Sequence, residues 1–414
     1  MTSTPGGEPS GQAGPVIVAA RRTPVRTSRP PAIDPVELAA PVLSALAADL
    51  RALAAVRGPT AVGTAVGGLT GVGGLARPEA RGAPDSPSAV GVDDVVLGSA
   101  RGPGGNLARV AALAAGLGVH VPGVTVDRQC GSGLEAIRAA AAAVGAGQAD
   151  VVLAGGVESA SAAEPGRAAF APAGFPDPDM GPAAEDLARV AGIGRERQDA
   201  YALRSHRLTV AARDRGVFDA ELVPAAGATR DDRPRPRLTA SLLARFPPAF
   251  APGGTVTAGN SCGISDGAAA VAVISERVRA ALGVPGLRIL ATSVVGVDPA
   301  LPGLGPVPAI RDAVRRSGIG LDQVDVVEIT EAFAAQVLAC TDALGLDPLG
   351  ADAARVCPDG GAIGLGHPWA ASGALLAVRL FSRLVLRAGG RWGVAGCAIG
   401  GGQGIALVVE RVGP

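Results

Sequence analysis

Cys130 has the sequence context expected of a catalytic nucleophile. It follows a short β-branched run, Val124–Val126, and precedes Gly131 and Gly133, which permit a sharp turn. The alanine-rich residues from Leu134 onward favour a helix. Cys130 would then lie at a helix N-terminus, where free N–H groups and the helix dipole stabilise a thiolate and lower the thiol pKa. The pattern predicts a nucleophile, and the alternative is a buried, inert thiol.

His367 is the second residue suited to catalysis among the three histidines of the chain. Glycine-rich sequence precedes it and Pro368 follows it, in a loop that opens a predicted helix. His120 and His206 have helix or helix-end contexts, where surface or packing roles are expected. A histidine that removes the thiol proton would complete a Cys/His pair for nucleophilic catalysis.

Alternating strands and helices must position these two residues. The two halves of the chain repeat this pattern, which predicts a layered α/β fold. We expect strands at 16–20, 93–97, 124–126, 149–154, 288–295 and 324–329, and helices at 34–54, 107–117, 134–143, 308–318, 334–344 and 374–386.

Three segments depart from the alternation. Residues 1–14 are polar and rich in glycine and proline, which indicates a disordered tail. Residues 58–88 are a low-complexity insertion of glycine, alanine and proline that we interpret as a loop. Residues 160–259 contain a charged helical stretch, 183–215, and an Arg/Pro/Asp segment, 230–237, and are interpreted as a separate subdomain.

Composition excludes several classes of function. The chain has 414 residues, with 37 basic side chains balancing 37 acidic ones, and no basic stripe indicates nucleic-acid binding. Its five scattered cysteines lack metal-ligand spacing, so we expect reduced thiols, no metal site and a cytoplasmic protein. Residues 1–14 lack the basic and apolar regions of a signal peptide, so we expect none. The apolar segments 61–76 and 392–409 are interrupted by glycines, and we expect no membrane span.

Six motifs, in order, make the chain resemble the thiolases, the acetyl-CoA acetyltransferase and 3-ketoacyl-CoA thiolase enzymes. The likeness extends over nearly the whole length, which makes it more specific than any single motif. The motifs are Arg-Gln-Cys130-Gly-Ser-Gly, Gly-Gly-Val-Glu-Ser159, Thr-Ala-Gly-Asn260, Glu331-Ala-Phe-Ala, Gly-His367-Pro and Ile399-Gly-Gly-Gly-Gln-Gly404.

The resemblance implies a five-layer α-β-α-β-α fold and a homodimer or homotetramer. It implies an N-terminal half at 15–160 and 263–285, a CoA-binding loop domain at 161–262 and a C-terminal half at 286–414. CoA would be substrate or product, with no further cofactor.

The resemblance also implies roles for individual residues. Cys130 would carry the acyl group and His367 would activate it, with Glu331 in the catalytic set. The backbone N–H groups of Cys130 and Gly400 would stabilise the oxyanion. The substrate-binding positions would be Asn260, Ser261 and Cys262.

Three positions depart from the thiolase pattern. The second catalytic cysteine of thiolases aligns with Ala398, and Cys397 stands one residue too early, so strand alternation predicts that it faces away from the site. Thr330 replaces the asparagine that holds an oxyanion-hole water, and Cys262 replaces a serine expected to contact pantetheine. Trp369 stands after the His-Pro pair, where we expect a packing role.

These observations predict a thiolase-like acyltransferase that forms an acyl-enzyme on Cys130 from an acyl-CoA. Ordinary condensation or thiolysis of a 3-ketoacyl-CoA is the first expectation, with Cys397 as a catalytic residue if a local rearrangement exposes it. One alternative is a divergent acyltransferase that passes the acyl group to another nucleophile. A second is a catalytically silent thiolase-like subunit.

Overall fold

The structure, a computed structural model, describes residues 14–57, 91–164, 166–167 and 169–414. The predicted tail at 1–14 therefore lies, except for its last residue, outside the described residues, and so does the predicted loop at 58–88. The described residues form ten strands: β1 (Val16–Arg22), β2 (Arg26–Thr27), β3 (Asp94–Gly98), β4 (Val124–Val126), β5 (Val151–Ser159), β6 (Ser265–Ile274), β7 (Gly286–Gly296), β8 (Val326–Ile329), β9 (Trp392–Ile399) and β10 (Gln403–Val412).

Eleven α-helices accompany these strands in the described part of the chain. They are α1 (Pro35–Arg57), α2 (Leu107–Ala114), α3 (Ser132–Gly145), α4 (Met180–Val190), α5 (Arg195–Asp214), α6 (Ala240–Leu243), α7 (Glu276–Leu282), α8 (Pro306–Ser317), α9 (Ala334–Leu344), α10 (Ala362–Leu365) and α11 (Trp369–Phe381). A π-helical turn, Ser382–Leu386, extends α11.

The strands join in the order β4-β3-β5-β6-β1-β7-β10-β9-β8, and β2 pairs with β6. The first six strands in sequence form one half and the last four form the other, joined where β1 pairs with β7. Each half combines parallel and antiparallel pairs, for example β3 with β5 and β5 with β6. The repeated pattern of the sequence thus becomes two structurally similar halves of one sheet system.

Helices α3 and α11 form the central layer. They pack on each other and contact strands of both halves, including β5 and β9 for α11. The buried cluster around them combines Leu134 and Ile137 of α3 with Leu380 of α11 and Ile405 of β10. Gly133 allows this close packing, because a Cβ there would lie 2.8 Å from the Ala370 carbonyl oxygen.

Outer helices cover the other face of each half. Helices α1 and α2 pack with the first half around a separate cluster that includes Leu38, Leu43 and Leu153. Helices α8 and α9 pack with the second half around Ile310 and Leu338. The layers therefore run helix, sheet, helix, sheet, helix, as predicted.

The segment between β5 and β6 is attached to both halves by a buried ionic cluster. Arg22 of β1 pairs with Glu221 and Asp231 of this segment, each at 2.7 Å. Glu221 also pairs with Arg379 of α11, which bonds to Asp359 at 2.8 Å. Because each of these charges has a buried partner, loss of one would leave the others uncompensated.

Some element boundaries differ from those predicted. Strand β5 continues through 155–159, because β6 pairs with it residue by residue up to Ser159. The charged stretch 183–215 forms two helices, α4 and α5, separated at Gly192, whose φ is +67°. The last predicted helix begins five residues early, at Trp369 instead of Ala374.

Two helices in the described residues are long and apolar enough to cross a membrane by length and composition. They are Pro35–Val56, whose apolar 18-residue window is 39% buried inside the protein, and Trp369–Leu386, which is 78% buried. The second belongs to the central layer, and core helices of globular proteins have the same properties. The apolar segment 392–409 contains β9 and most of β10, and 61–76 lies outside the described residues.

Candidate active site

Cys130 lies at the turn that joins β4 to α3. A short 3₁₀ turn, Gln129–Gly131, leads directly into the first residue of α3. Gln129 has φ +47°, a left-handed conformation that is uncommon for a residue with a side chain. The Ser132 hydroxyl donates to the Gln129 carbonyl at 2.6 Å and accepts from Arg128 N–H at 2.8 Å, which holds the turn in place.

A cavity of about 490 Å³ brings together residues that are distant in sequence. Cys130 from the first half lines it together with His367 and Gly400 from the second half. The inserted segment closes it with apolar side chains, mainly Met180, Leu187 and Phe250. The two residues predicted to react therefore face one space, and its size suits a small ligand.

The predicted low pKa of the Cys130 thiol is wrong for this structure. Burial raises its pKa well above the usual value, and the neighbouring thiols of Cys397 and Cys262 and the Glu158 carboxyl act in the same direction. The Cys130 N–H lies against its own sulfur and opposes the rise, but it is the smaller effect. Cys130 is thus a thiol at rest and needs a base.

His367 is placed and oriented by its backbone and by one hydroxyl. The backbone N–H of His367 donates to the Gly263 carbonyl at 2.9 Å, and the ring Nδ1 lies 2.6 Å from Ser372 Oγ on α11. Nε2 is the ring nitrogen that remains for the cavity. Burial lowers the pKa of His367 to about 4, so the imidazole is neutral near pH 7 and able to accept a proton.

Cys397 and Ala398 lie on opposite faces of β9, as strand alternation predicts. Cys397 is fully buried in the central cluster with Ala395 and Ile399, and it is absent from the cavity lining. Its thiol is positioned to donate to the Cys130 carbonyl, at 3.3 Å. Ala398 lines the cavity, so a methyl group occupies the position of the second thiolase cysteine.

Thr330 lies behind His367, outside the lining of the large cavity. It lines a second cavity, of about 30 Å³, together with Ser372 and Glu328. Burial raises the pKa of Cys397 to about 12. The Thr330 hydroxyl oxygen is buried and forms no hydrogen bond with any described residue, and its oxyanion-hole role stays a prediction.

Glu331 ties the inserted segment to the second half through its side chain, and Asn260 does so through its carbonyl, which accepts from the Ala334 N–H at 2.9 Å. Glu331 accepts hydrogen bonds from Tyr201 at 2.8 Å, from Ser205 at 2.6 Å and from the Ile363 N–H at 3.1 Å. Asn260 donates to Asp199 at 2.9 Å. Neither side chain lines the large cavity.

Ser261, Cys262 and Trp369 line the large cavity. The Ser261 hydroxyl donates to the Thr257 carbonyl at 2.7 Å, and burial raises the pKa of Cys262 to about 12. The Arg101 guanidinium lies over the Trp369 ring, 5.8 Å from its centre.

Sequence reasoning missed three charged residues of the site. Arg233 lines the large cavity, and Glu328 lines the small one. Glu158, at the end of β5, accepts from the N–H groups of Ala100 and Arg101 and lies close enough to Cys130 to raise its pKa. The Gly-Gly-Val-Glu-Ser motif is a signal for Glu158, whereas Arg233 belongs to the Arg/Pro/Asp segment 230–237, which carries none of the six motifs.

Among the described residues, no group of three or more His, Cys, Asp or Glu side chains could hold a metal ion. The lining of the large cavity includes the Cys130 and Cys262 thiols, the His367 imidazole and the Arg233 guanidinium.

Comparisons with known proteins decide the family. Residues 87–277 match the family described as thiolase, N-terminal domain, and residues 284–411 match thiolase, C-terminal domain. The chain belongs to the thiolase family. The junction between these two domains lies beside the predicted boundary between the halves.

Named relatives agree with this membership. The chain is 42% identical to the β-ketoadipyl-CoA thiolase of Acinetobacter baylyi, over 78% of this chain and 88% of the relative. It is also 42% identical to an acetyl-CoA acetyltransferase of Escherichia coli K12, with the same coverage. The crystal structure of the Bacillus anthracis acetyl-CoA acetyltransferase matches with a TM-score of 0.81 and 35% identity, over 97% of this chain and 99% of that one. The predicted thiolase fold and acyltransferase function are confirmed.

Proposed function

We propose that this thiolase-family enzyme takes an acyl group from an acyl-CoA as a covalent thioester on Cys130. The observation that carries the proposal is the shared cavity, which Cys130, neutral His367 and Gly400 all line. The cavity is mainly apolar, as an acyl chain and a pantetheine arm require. The relatives act on CoA thioesters by name, which supports the same class of donor here.

The first step needs a proton transfer, because both groups are neutral at rest. Cys130 Sγ attacks the thioester carbonyl as His367 takes the thiol proton. The carbonyl oxygen becomes an oxyanion, which the N–H groups of Cys130 and Gly400 would stabilise. The carbon–sulfur bond to CoA then breaks, and His367 returns the proton to the departing CoA thiolate.

The second step depends on what replaces the missing cysteine. Carbon–carbon condensation needs a base against the α-carbon of a second acyl thioester. Ala398 lacks an ionisable group, and Cys397 lies in the central cluster. We therefore propose that acylation of Cys130 is fast and that condensation or thiolysis is slow. The second candidate function is transfer of the acyl group from Cys130 to another nucleophile. Ala398 at the position of the second thiolase cysteine favours this alternative.

The decisive experiment measures both steps on the same protein. Acylation is followed by intact mass after mixing with acetyl-CoA, and condensation by formation of acetoacetyl-CoA. Wild type should gain an acetyl group on Cys130 and condense slowly. Ala398→Cys should raise condensation with little change in acylation.

Cys397→Ala is the matched control. If wild type condenses quickly and Cys397→Ala abolishes this, the turn presents Cys397 to the cavity and the orientation argument fails. If Cys130 gains no acyl group from any acyl-CoA, the chain is a silent subunit and the proposed function is wrong.

We also propose a cytoplasmic homodimer or homotetramer that uses no cofactor other than CoA. Strand β4 lies at one edge of the sheet, with Val124 exposed there. Val110 and Leu113 on α2 and Val119 are exposed nearby, and an open edge beside apolar side chains favours pairing with a second copy. Light scattering during size exclusion tests the assembly.

A further inference from the structure

Arg233 is a charged residue of the large cavity without an ionic partner among the described residues. Its Nε is buried and forms no hydrogen bond with any described residue. Its guanidinium forms no ion pair in that part of the chain either, although it lines the cavity that holds Cys130 and His367. A partly buried cation in an apolar space is costly unless an anion compensates it.

The residues around Arg233 do not supply that anion. Its neighbours in sequence, Asp231 and Asp232, are directed elsewhere: Asp231 binds Arg22 and the Val25 N–H, and Asp232 accepts from Thr27. Asp232 also pairs loosely with Arg29, at 3.8 Å. These bonds hold the backbone on the N-terminal side of Arg233 and leave its side chain to the cavity.

Burial and the nearby Arg235 lower the pKa of Arg233, while Cys262 and Asp232 act in the opposite direction. Glu331, the carboxylate of the neighbouring loop, is occupied by Tyr201, Ser205 and the Ile363 N–H. An arginine remains charged at neutral pH, so the guanidinium presents a positive charge to the cavity.

The guanidinium lies beside the reacting end of the cavity. It packs directly on Gly263, where a Cβ would lie 1.7 Å from the Arg233 Cζ, so only glycine leaves room for it. Gly263 is the residue whose carbonyl accepts from the His367 N–H. The Arg233 Cδ likewise lies 2.8 Å from the Cβ position of Gly366, the residue before His367.

This position separates two sources of negative charge in an acyl-CoA. The phosphates are a full pantetheine arm away from the thioester, which must lie at Cys130 and His367. A carboxylate at the far end of a short acyl chain lies within a few bonds of the thioester. The backbone that carries His367 is in contact with Arg233, which favours the acyl carboxylate.

We propose that Arg233 selects acyl-CoA donors whose short acyl chain ends in a carboxylate, the half-thioesters of dicarboxylic acids. The guanidinium would donate two parallel hydrogen bonds to the carboxylate, a geometry that lysine does not reproduce. This inference rests on the proposed function, because it assumes that the cavity binds an acyl-CoA.

Binding to a protein without the nucleophile tests the inference apart from the chemistry. Cys130→Ala, with Cys130→Ser as a second background, is titrated with pairs of equal carbon number: succinyl- against butyryl-CoA, glutaryl- against valeryl-CoA and adipyl- against hexanoyl-CoA. In at least one pair, the acyl-CoA with the terminal carboxylate should bind at least about tenfold more tightly than its neutral partner. A hydrogen bond between charged groups contributes a free energy of this size. Arg233→Gln, introduced into the same Cys130→Ala background, should remove the preference for the acidic acyl-CoA. Arg233→Lys should restore only part of that preference.

Arg235→Gln is the matched control, because Arg235 is exposed and absent from the cavity lining. It should leave the ratio of acidic to neutral binding unchanged. Equal binding within all three pairs in the Cys130→Ala protein would overturn the inference. A second result would also overturn it: Arg233→Gln weakens the binding of acidic and neutral acyl-CoA donors equally, and the binding of acyl-pantetheine thioesters is unaffected. Arg233 would then bind a CoA phosphate.

Acylation of the Cys130 protein separates this inference from the proposed function. A clear acidic preference in binding, without acylation by any donor, would support the role of Arg233 and overturn the proposed transfer. Acylation by neutral donors as fast as by acidic ones would leave the transfer intact and overturn the role of Arg233.

Discussion

The two sides of the His367 loop differ in size and in chemical character. In front lies the cavity of about 490 Å³, with the Cys130 thiol, the Arg233 guanidinium and apolar side chains. Behind lies a space of about 30 Å³, lined by Glu328, Thr330 and Ser372. The front can hold a substrate, whereas the back has room for little more than a water molecule.

The difference separates reaction from positioning. Groups on the front would touch the thioester, whereas on the back Ser372 is the side chain that bonds to His367. Ser372 Oγ, 2.6 Å from His367 Nδ1, is the contact between the two sides. Changes at the front should therefore alter rates steeply, and changes at the back should alter orientation, pH dependence and stability.

The largest effect is expected for His367→Ala. The resting thiol of Cys130 needs a base, so its acylation by acetyl-CoA should slow by ~10²–10⁴-fold. Rapid-quench mass spectrometry at pH 7 measures this rate. Because a solvent base can replace His367 at high pH, the deficit should shrink as pH approaches the raised pKa of Cys130. An unchanged rate at pH 7 would remove His367 from the mechanism.

A smaller effect is expected for Ser372→Ala. The change removes the hydroxyl that orients the ring, at a cost of about 1 kcal/mol, which corresponds to a roughly fivefold to tenfold slower acylation. Ser372→Thr keeps a hydroxyl and should recover most of the rate. If Thr fails to recover it while both variants unfold at the temperature of wild type, the hydrogen bond to His367 is not the cause.

Local patterns predicted the parts of this comparison that depend on neighbouring residues. The turn at Cys130, the loop at His367 and the opposite orientations of Cys397 and Ala398 all follow from short stretches of sequence. The thiolase motifs, in their order along the chain, predicted the fold, because each motif marks the end of a strand or the start of a helix.

Contacts between distant residues were not predictable in this way. Arg233 meets Gly366 only because the inserted segment is held by Arg22 and Glu221 through the buried ionic cluster. The lowered pKa predicted for Cys130 failed for a related reason: the helix N-terminus is a local feature, but burial comes from the whole fold and outweighs it.

Glu328 is the back-side residue whose properties depend most on burial. It lies on β8, is almost fully buried and accepts no hydrogen bond from any described residue. Burial raises its pKa from 4.5 to about 8, and nearby Arg379, already paired with Glu221 and Asp359, opposes this only in part. Glu328 is therefore mostly protonated in the folded protein at neutral pH.

The smallest and last prediction concerns the stability that follows from this proton. The folded state holds it up to about pH 8, whereas the unfolded chain releases it above about pH 4.5, so the stability due to Glu328 falls as pH rises between these values. Glu328→Gln keeps the shape without the ionisation. The variant should match wild type near pH 5 and unfold at a higher temperature than wild type at pH 8. The corresponding gain in unfolding free energy has an upper bound of ~5 kcal/mol.

Thermal unfolding of both proteins from pH 5 to pH 8.5 measures the difference. The buried His206 and His367, whose pKa values fall to about 4, weaken the fold in acid in both proteins, so they cancel in that difference. Glu37→Gln, at an exposed site on α1, is the control and should show no such dependence on pH. A constant gap between Glu328→Gln and wild type would mean that Glu328 does not titrate in this range. Glu328 would then be charged in the folded state across the whole range, as it is in the unfolded chain, and the back of the His367 loop would be an anionic site.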